Sequence, residues 1–315
     1  MRIVFFGTDE FAKEILSFLL LKELDIVSVV TREDKPRGRD QKLQGPPVKE
    51  LCDQLKFKGS LLQPAKASSL EFVDQLKEID ADLFVVVSYG QILKQAVLDL
   101  PKYGTINVHP SLLPKFRGPS PIQSAVLAGE NESGVTIMEM VLAMDAGGII
   151  KVAPASLDRD MTFGELEILL MELAKGALFQ VIQEISTSKR IISQPQNENF
   201  ATYTKKIHAE DSFINWDKSG EEIHNFVRGM NPRPGARIFI EFEGKKQIMK
   251  IFKVKKTEYV GSKAGEMLYF DNEHGLIISC QGGSIALLEV QMEGKKRVAV
   301  KDFVNGFSGK IKFCY

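Results

Sequence analysis

The run ADLFVVVSYG, residues 81–90, says most about the fold of this 315-residue chain. Its centre is apolar and rich in valine, without the alternation of polar residues that marks a strand with one solvated face. An apolar run of this length is typical of a strand buried on both sides, as in a parallel sheet covered by helices. The sequence therefore predicts a central strand of an α/β sheet.

The segments before this run alternate between strand and helix patterns. RIVFFG (2–7) and DIVSVVT (25–31) are strand-like, and DEFAKEILSFLLLK (9–22) between them has helical spacing. SSLEFVDQLKEI then begins with Ser68 three residues before Glu71, the spacing of a capping box. Alternating strands and helices predict a parallel sheet with right-handed crossovers.

The same alternation continues for about a hundred residues and then stops. GTINVHP (104–110) and GVTIMEMV (134–141) are strand-like, and a long helix opens at a second capping box, Thr162 and Glu165. The chain becomes polar and aperiodic near Ser186, which indicates a linker.

The remainder of the chain has a different pattern. SGEEIHNFVRGM (219–230) has helical spacing, and from Ala236 onward short strand-like segments follow one another with turn residues between them. Closely spaced strands of this kind predict a small antiparallel sheet or barrel. The chain therefore combines an α/β part with a second, β-rich part.

Charge and cysteine content narrow the class of protein. Lys+Arg and Asp+Glu are both 41, but residues 201–315 hold 19 basic and 14 acidic residues. That excess of basic over acidic residues suits a polyanionic partner, and it equally fits an ordinary solvated surface.

The three cysteines are odd in number and lack CxxC spacing, which indicates a reducing cytosol without disulfides or a zinc site. The chain shows no signal-peptide pattern and no apolar run near the ~20 residues of a membrane span.

The turn after the first strand, FFGTDEFA (5–12), bears on a dinucleotide cofactor. The dinucleotide fingerprint is G-x-G-x-x-G, and only Gly7 is present. Asp9 and Glu10 follow it, and two carboxylates at a helix N-terminus would repel a phosphate. A Walker motif and a His/Cys cluster at metal-ligand spacing are also missing from the sequence. We therefore expect neither a dinucleotide nor a metal.

Asn107 and His109 stand two residues apart in the strand-like GTINVH, so they share one face near its carboxyl end. An imidazole there can accept a proton near neutral pH, and an amide N–H can donate to an oxygen that gains negative charge. Asp145 is the best candidate to orient the imidazole, and the glycines at 147 and 148 would let backbone approach a ligand closely. The same pattern also fits satisfied polar groups on a strand and an ordinary turn aspartate.

INVHPSLLPKFRGPSPI (106–122), followed by GVTIMEMVLAMDAGGII (134–150), closely resembles the 10-formyltetrahydrofolate-dependent formyltransferase family. The resemblance implies an N-terminal Rossmann-like parallel-sheet formyltransferase domain over residues 1–189, a linker over 190–205 and a C-terminal OB-like β-barrel domain over 206–315. It implies that the catalytic residues are Asn107, His109 and Asp145. The residues implied to contact the folate are Ser111, Leu112, Leu113 and Pro114.

The segment TREDKPRGRDQKLQGPPVKEL (31–51) bears on the second substrate. From Lys35 to Lys49 it holds five basic residues and one acidic residue. It resembles the basic loop that family members acting on methionyl-tRNA insert into the acceptor stem, whereas members acting on sugar nucleotides have a shorter segment. The resemblance thus implies initiator methionyl-tRNA as the partner. The side chains expected at tRNA phosphates are Lys35, Arg37, Arg39, Lys42, Lys205 and Lys206.

The resemblance implies a cytoplasmic, monomeric enzyme that uses 10-formyltetrahydrofolate as co-substrate and binds neither a metal nor a membrane. Two alternatives stay open at this point. One is formylation of a UDP-4-amino-arabinose-type sugar nucleotide. The other is a folate- or RNA-binding module with the same fold and a silent site.

Overall fold

The computed structural model of the chain describes residues 1–37, 42–242, 244–307 and 311–314, without the side chains of Arg37 and of 311–314. These residues form two compact units, each assembled from three separate ranges. The first unit comprises Met1–Gly118, Glu132–Ser156 and Ile168–Thr204. The second unit comprises Pro119–Asn131, Leu157–Glu167 and Lys205–Tyr315.

The first unit contains nine of the strands. In chain order they are β1 (Ile3–Gly7), β2 (Ile26–Val30), β3 (Lys35–Arg37), β4 (Lys42–Gln44), β5 (Ser60–Leu62), β6 (Leu83–Val87), β7 (Thr105–His109), β8 (Glu132–Glu139) and β9 (Ile149–Ser156). Seven of them form one sheet in the order β5-β2-β1-β6-β7-β8-β9, and β3 and β4 form a separate antiparallel hairpin.

The predicted parallel sheet is confirmed for five of these seven strands. β6 is buried along its whole length and lies between β1 and β7, to both of which it is parallel. β8 runs antiparallel to β7, and β9 runs antiparallel to β8. No helix connects β8 to β9, so the chain returns directly, and β8 alone among these seven strands runs opposite to the others.

The eight helices in the described ranges vary widely in length. They are α1 (Glu10–Leu21), α2 (Pro47–Gln54), α3 (Leu70–Ile79), α4 (Gln95–Leu98), α5 (Pro121–Leu127), α6 (Phe163–Ser188), α7 (Gly220–Gly229) and α8 (Val300–Phe307). None of them is long and apolar enough to cross a membrane.

The two predicted capping boxes differ in outcome. At the start of α6, Thr162 and Glu165 exchange hydrogen bonds as predicted. At the start of α3 the prediction was one residue out of position. The helix is capped by Ser69, whose hydroxyl accepts a hydrogen bond from the Phe72 backbone N–H, so Ser68 lies outside the cap.

The second unit is built on a curled antiparallel sheet. Its strands are β10 (Ala236–Phe242), β11 (Lys245–Thr257), β12 (Met267–Asp271), β13 (Gly275–Cys280), β14 (Gly283–Met292), β15 (Arg297–Ala299) and β16 (Ile311–Cys314). The main path runs β12-β13-β14-β11-β10-β16, and β15 pairs with β14. Apolar residues of α7 and α8 pack on its concave core. The sheet is a half-barrel, which agrees with the expected OB-like domain.

The N-cap of α3 gives a direct test of the corrected boundary. Ser69→Ala removes the side chain that satisfies an orphan backbone donor, so we expect the free energy of unfolding to fall by about 1 kcal/mol. Ser68→Ala is the matched control, because its side chain makes no hydrogen bond with any described residue. Urea denaturation of both variants checks this, and equal midpoints would place the cap elsewhere.

Candidate active site

His109 is the last residue of β7 and is only 4% exposed. Its Nε2 lies 3.0 Å from the backbone oxygen of Phe116. Since a carbonyl oxygen only accepts hydrogen bonds, Nε2 carries a hydrogen and donates it. The other ring nitrogen, Nδ1, lies 3.7 Å from Oδ2 of Asp145. Nδ1 is therefore the nitrogen of the neutral ring that can take up a proton.

Asp145 lies in the loop 140–148, between β8 and β9. β8 ends with Glu139 beside Ile106, away from the carboxyl end of β7, so the loop 140–148 folds back toward His109. Asp145 adopts a left-handed backbone conformation with φ of 50°. Its Oδ2 accepts a hydrogen bond of 2.7 Å from the Gly118 backbone N–H. The carboxylate is thus held between the loop after β7 and the imidazole.

The glycines at 147 and 148 allow close packing within the protein. A Cβ at Gly147 would lie 1.7 Å from the backbone oxygen of Glu139, and one at Gly148 would lie 2.3 Å from Oγ of Ser193. The sequence suggested that these glycines let backbone approach a ligand. The structure shows instead that they let the loop 140–148 close against β8 and the segment around Ser193.

Burial sets the protonation state of the site. Loss of solvation lowers the pKa of His109 below its ordinary value, and the Asp145 carboxylate and the Phe116 carbonyl oppose this only in part. The imidazole is therefore neutral at pH 7. It is a base enclosed by protein and faces one carboxylate.

Asn107 lies on the same face of β7 as His109 and is half-buried. Its side-chain amide makes no hydrogen bond with any residue in the described ranges. The amide N–H groups can therefore donate to a bound substrate oxygen. Together the three residues offer an oxyanion donor, a neutral base and a carboxylate that faces the base.

Two family models match the chain. The model described as "Formyl transferase" matches residues 1–182, and the one described as "Formyl transferase, C-terminal domain" matches residues 206–308. The chain belongs to the formyltransferase family. It is 40% identical over 315 residues to the methionyl-tRNA formyltransferase of Protochlamydia amoebophila, which covers 99% of this chain and 98% of that protein.

Solved structures share the fold at lower identity. An N-formyltransferase from Helicobacter canadensis, in complex with folinic acid and dTDP-3-aminofucose, superposes with a TM-score of 0.63 at 22% identity, over 91% of this chain and 99% of that chain. HypX from Aquifex aeolicus, in complex with tetrahydrofolic acid, superposes with a TM-score of 0.63 at 16% identity, over 98% of this chain and 48% of that chain.

Among the described residues, no group of three or more His, Cys, Asp or Glu could hold a metal ion.

The four residues expected to contact the folate divide into two pairs. Ser111 and Leu113 are buried, and the Ser111 hydroxyl donates to the Lys115 backbone oxygen. Leu112 and Pro114 are half-buried and present side-chain surface. A ligand lying against this stretch would therefore meet the side chains of Leu112 and Pro114 and the backbone of the other two residues.

The expected tRNA-contacting residues lie in two places. Lys35 and Lys42 are exposed on the β3–β4 hairpin, whose base is held by an ion pair of 2.7 Å between Lys49 and Asp34. Arg37 belongs to β3, but its side chain is outside the described part of the chain, as is the whole of Arg39. Lys205 and Lys206 are exposed at the start of the last range of the second unit.

The sequence interpretation missed a group of residues beside the site. Arg117 is 1% exposed and its guanidinium bonds Gln196, Glu198 and Tyr203. Gln196 in turn bonds the loop that carries Asp145. Gln196, Glu198 and Tyr203 fall in the segment interpreted as a linker, whose polar, aperiodic composition carries no signal for contacts with a residue about 80 positions earlier.

The pairing of Asp145 with His109 can be tested without a substrate. Asp145→Asn keeps an oxygen for the Gly118 N–H but removes the charge that raises the pKa of His109, so we expect that pKa to fall further. An NMR titration of the chain with labelled histidine measures it, with His109→Gln to assign the signal. An unchanged or higher pKa would contradict the pairing.

Proposed function

We propose that this chain transfers a formyl group from 10-formyltetrahydrofolate to the α-amino group of methionyl-initiator tRNA, giving formylmethionyl-tRNA for translation initiation. One observation carries the proposal: the His109–Asp145 pair, with Asn107 on the same face of β7 as His109, lies in a chain that is 40% identical, over 99% of its length, to a methionyl-tRNA formyltransferase. The identity extends over both parts of the chain, so it includes the second domain as well as the catalytic one.

The first step is attack of the amine nitrogen on the formyl carbon. A carbon–nitrogen bond forms and negative charge develops on the formyl oxygen. The Asn107 amide is the donor for that oxygen, because it is half-exposed on the catalytic face and makes no hydrogen bond with the described residues. Its interaction strengthens as the charge grows, which lowers the barrier.

His109 carries the proton between the two substrates. The attacking amine becomes cationic and loses a proton to Nδ1, the unprotonated nitrogen of the neutral ring. The resulting imidazolium keeps its Nε2–H on the Phe116 carbonyl, and the nearby Asp145 carboxylate stabilises its positive charge. The proton then passes to the folate nitrogen as its bond to the formyl carbon breaks. His109 is then neutral again.

The formyl group is already activated on the folate nitrogen, so the remaining task is to hold two large substrates together. We propose that the folate lies against Ser111, Leu112, Leu113 and Pro114, with side-chain contacts from Leu112 and Pro114. We propose that tRNA phosphates meet the cations of the β3–β4 hairpin and of the start of the second domain, namely Lys35, Arg37, Arg39, Lys42, Lys205 and Lys206.

We propose the catalytic domain at residues 1–189, the linker at 190–205 and the OB-like tRNA-binding domain at 206–315. The ranges matched by the two family models, 1–182 and 206–308, support this division. We also propose that the enzyme acts as a monomer in the cytoplasm.

A substrate comparison decides between this function and its main alternative. The enzyme is incubated with 10-formyltetrahydrofolate and, in separate reactions, methionyl-tRNA or UDP-4-amino-arabinose. Formylmethionine released from the tRNA supports the proposal. A product with the sugar nucleotide alone would establish the alternative instead.

Asn107→Ala should leave the fold intact and lower kcat about 10²–10³-fold, because one oxyanion donor is lost. His109→Ala and Asp145→Ala should also come close to abolishing transfer. Single-turnover formylation of methionyl-tRNA measures all three, and thermal unfolding confirms that they are folded. Wild-type rates in all three variants would remove the site assignment.

The hairpin is tested by replacing Lys35 and Lys42 together with Ala. We expect a higher KM for methionyl-tRNA. A plot of the logarithm of the tRNA-binding constant against the logarithm of the salt concentration should also have a slope that is shallower by about 0.9 for each phosphate no longer neutralised by a lysine. The KM for 10-formyltetrahydrofolate should stay unchanged. A double replacement of the exposed Lys58 and Lys66 by Ala, in the same unit, is the matched control. Equal effects of the two pairs would mean that the hairpin has no special role.

A further inference from the structure

We infer that Gln196 positions Asp145 for the reaction and that Arg117 fixes the orientation of the Gln196 amide. Neither residue touches the reacting atoms in the mechanism above, so both act through Asp145. The kinetic part of this inference rests on the proposed function. The residues concerned lie within the first unit, in the loop after β7, the loop 140–148 and the segment 196–204.

The Gln196 amide uses its full hydrogen-bonding capacity. Its Nε2 donates to the backbone oxygens of Asp145, at 2.8 Å, and Gly147, at 2.7 Å. Its Oε1 accepts from Nε of Arg117 at 3.1 Å and from Nη2 at 2.8 Å. A side-chain amide has two donor hydrogens and two acceptor lone pairs, so all four are occupied.

Arg117 decides which end of this amide faces the Asp145 loop. A guanidinium only donates hydrogen bonds, so the amide oxygen must face it and the nitrogen must face the two carbonyls. Arg117 is 1% exposed, and the carboxylate of Glu198 pairs with it at 2.7 Å. These hydrogen bonds raise the pKa of Arg117, so its charge, and with it the amide orientation, is permanent.

The two carbonyls belong to Asp145 and Gly147, on either side of Ala146. Asp145 has φ of 50°, a conformation that is unfavourable for a residue with a side chain and persists where surrounding contacts hold it. Bonds to the Asp145 and Gly147 oxygens fix both peptide planes. They therefore set the direction in which the Asp145 carboxylate leaves the backbone.

Hydrogen bonds with Thr202 and Thr204 also fix the backbone next to Gly118, whose N–H donates to the Asp145 carboxylate. The Arg117 backbone N–H donates to the Thr202 oxygen and its carbonyl accepts from the Thr204 N–H. Gly118, the next residue, then presents its N–H to Asp145. A Cβ at Gly118 would lie 2.8 Å from Oγ1 of Thr204, so this close approach requires glycine. The segment 196–204 thus holds both sides of the Asp145–Gly118 hydrogen bond.

Gln196→Met tests the positioning role because it keeps the length of the side chain and removes its donors and acceptor. We expect kcat for formyl transfer to fall about 10- to 100-fold, the scale of a misplacement near 1 Å, with both KM values little changed. Gln194→Met is the matched control, since Gln194 is exposed and its side chain makes no hydrogen bond within the described ranges. It should behave as wild type.

Gln196→Glu is the second variant in case the methionine variant does not fold. It keeps an acceptor for Arg117 but turns an oxygen toward the carbonyls of Asp145 and Gly147, so it should lose kcat in the same way. Wild-type kcat in a folded Gln196→Met or Gln196→Glu variant overturns the inference.

An NMR titration separates failure of this inference from failure of the proposed function. A displaced Asp145 supports the charge on His109 less, so the pKa of His109 should fall in Gln196→Met as it does in Asp145→Asn. This measurement needs no substrate, so it holds even if the wild type formylates neither acceptor. A loss of kcat with an unmoved His109 pKa would falsify the positioning role, because a merely structural defect gives that result.

Discussion

The site depends on one hydrogen bond, which the Gly118 backbone N–H donates to the Asp145 carboxylate at 2.7 Å. It joins the loop after β7 to the loop 140–148. His109 is bonded to the first of these loops through the Phe116 carbonyl and faces Asp145 on the second. If either loop moved, the imidazole would lose a partner on one of its nitrogens. The geometry of the proposed site is therefore a property of two loops closed against each other.

Burial and charge act in opposite directions at His109, and burial is the stronger influence. Enclosure lowers the pKa of the imidazole, while Asp145 works to raise it. In the proposed reaction, the ring is therefore neutral before the amine attacks, and a carboxylate lies beside it when it becomes charged. An exposed histidine would be partly protonated near neutral pH and so less able to take a proton from an amine. The same enclosure strengthens every electrostatic interaction in the site.

The sequence predicted the parts of this arrangement that depend on local periodicity. Strand parity placed Asn107 and His109 on one face, and the buried run around β6 indicated a parallel sheet. It could not show that β8 is antiparallel, because its residues fit a strand in either direction. It also gave no sign of Gln196, whose partner Arg117 is 79 positions away in the chain. Contacts of that range follow from how the chain is folded as a whole.

The buried charge of Arg117 limits where the chain can be cut into separate domains. The match to the catalytic family model ends at residue 182, yet the carboxylate that neutralises this arginine is that of Glu198. A catalytic fragment cut at the end of α6 would keep all seven strands of its sheet and leave a guanidinium in the protein interior without its counter-charge. The smallest autonomous piece of this enzyme is thus longer than its sequence module. Recombining such modules between relatives would have to carry the segment 196–204 along with the sheet.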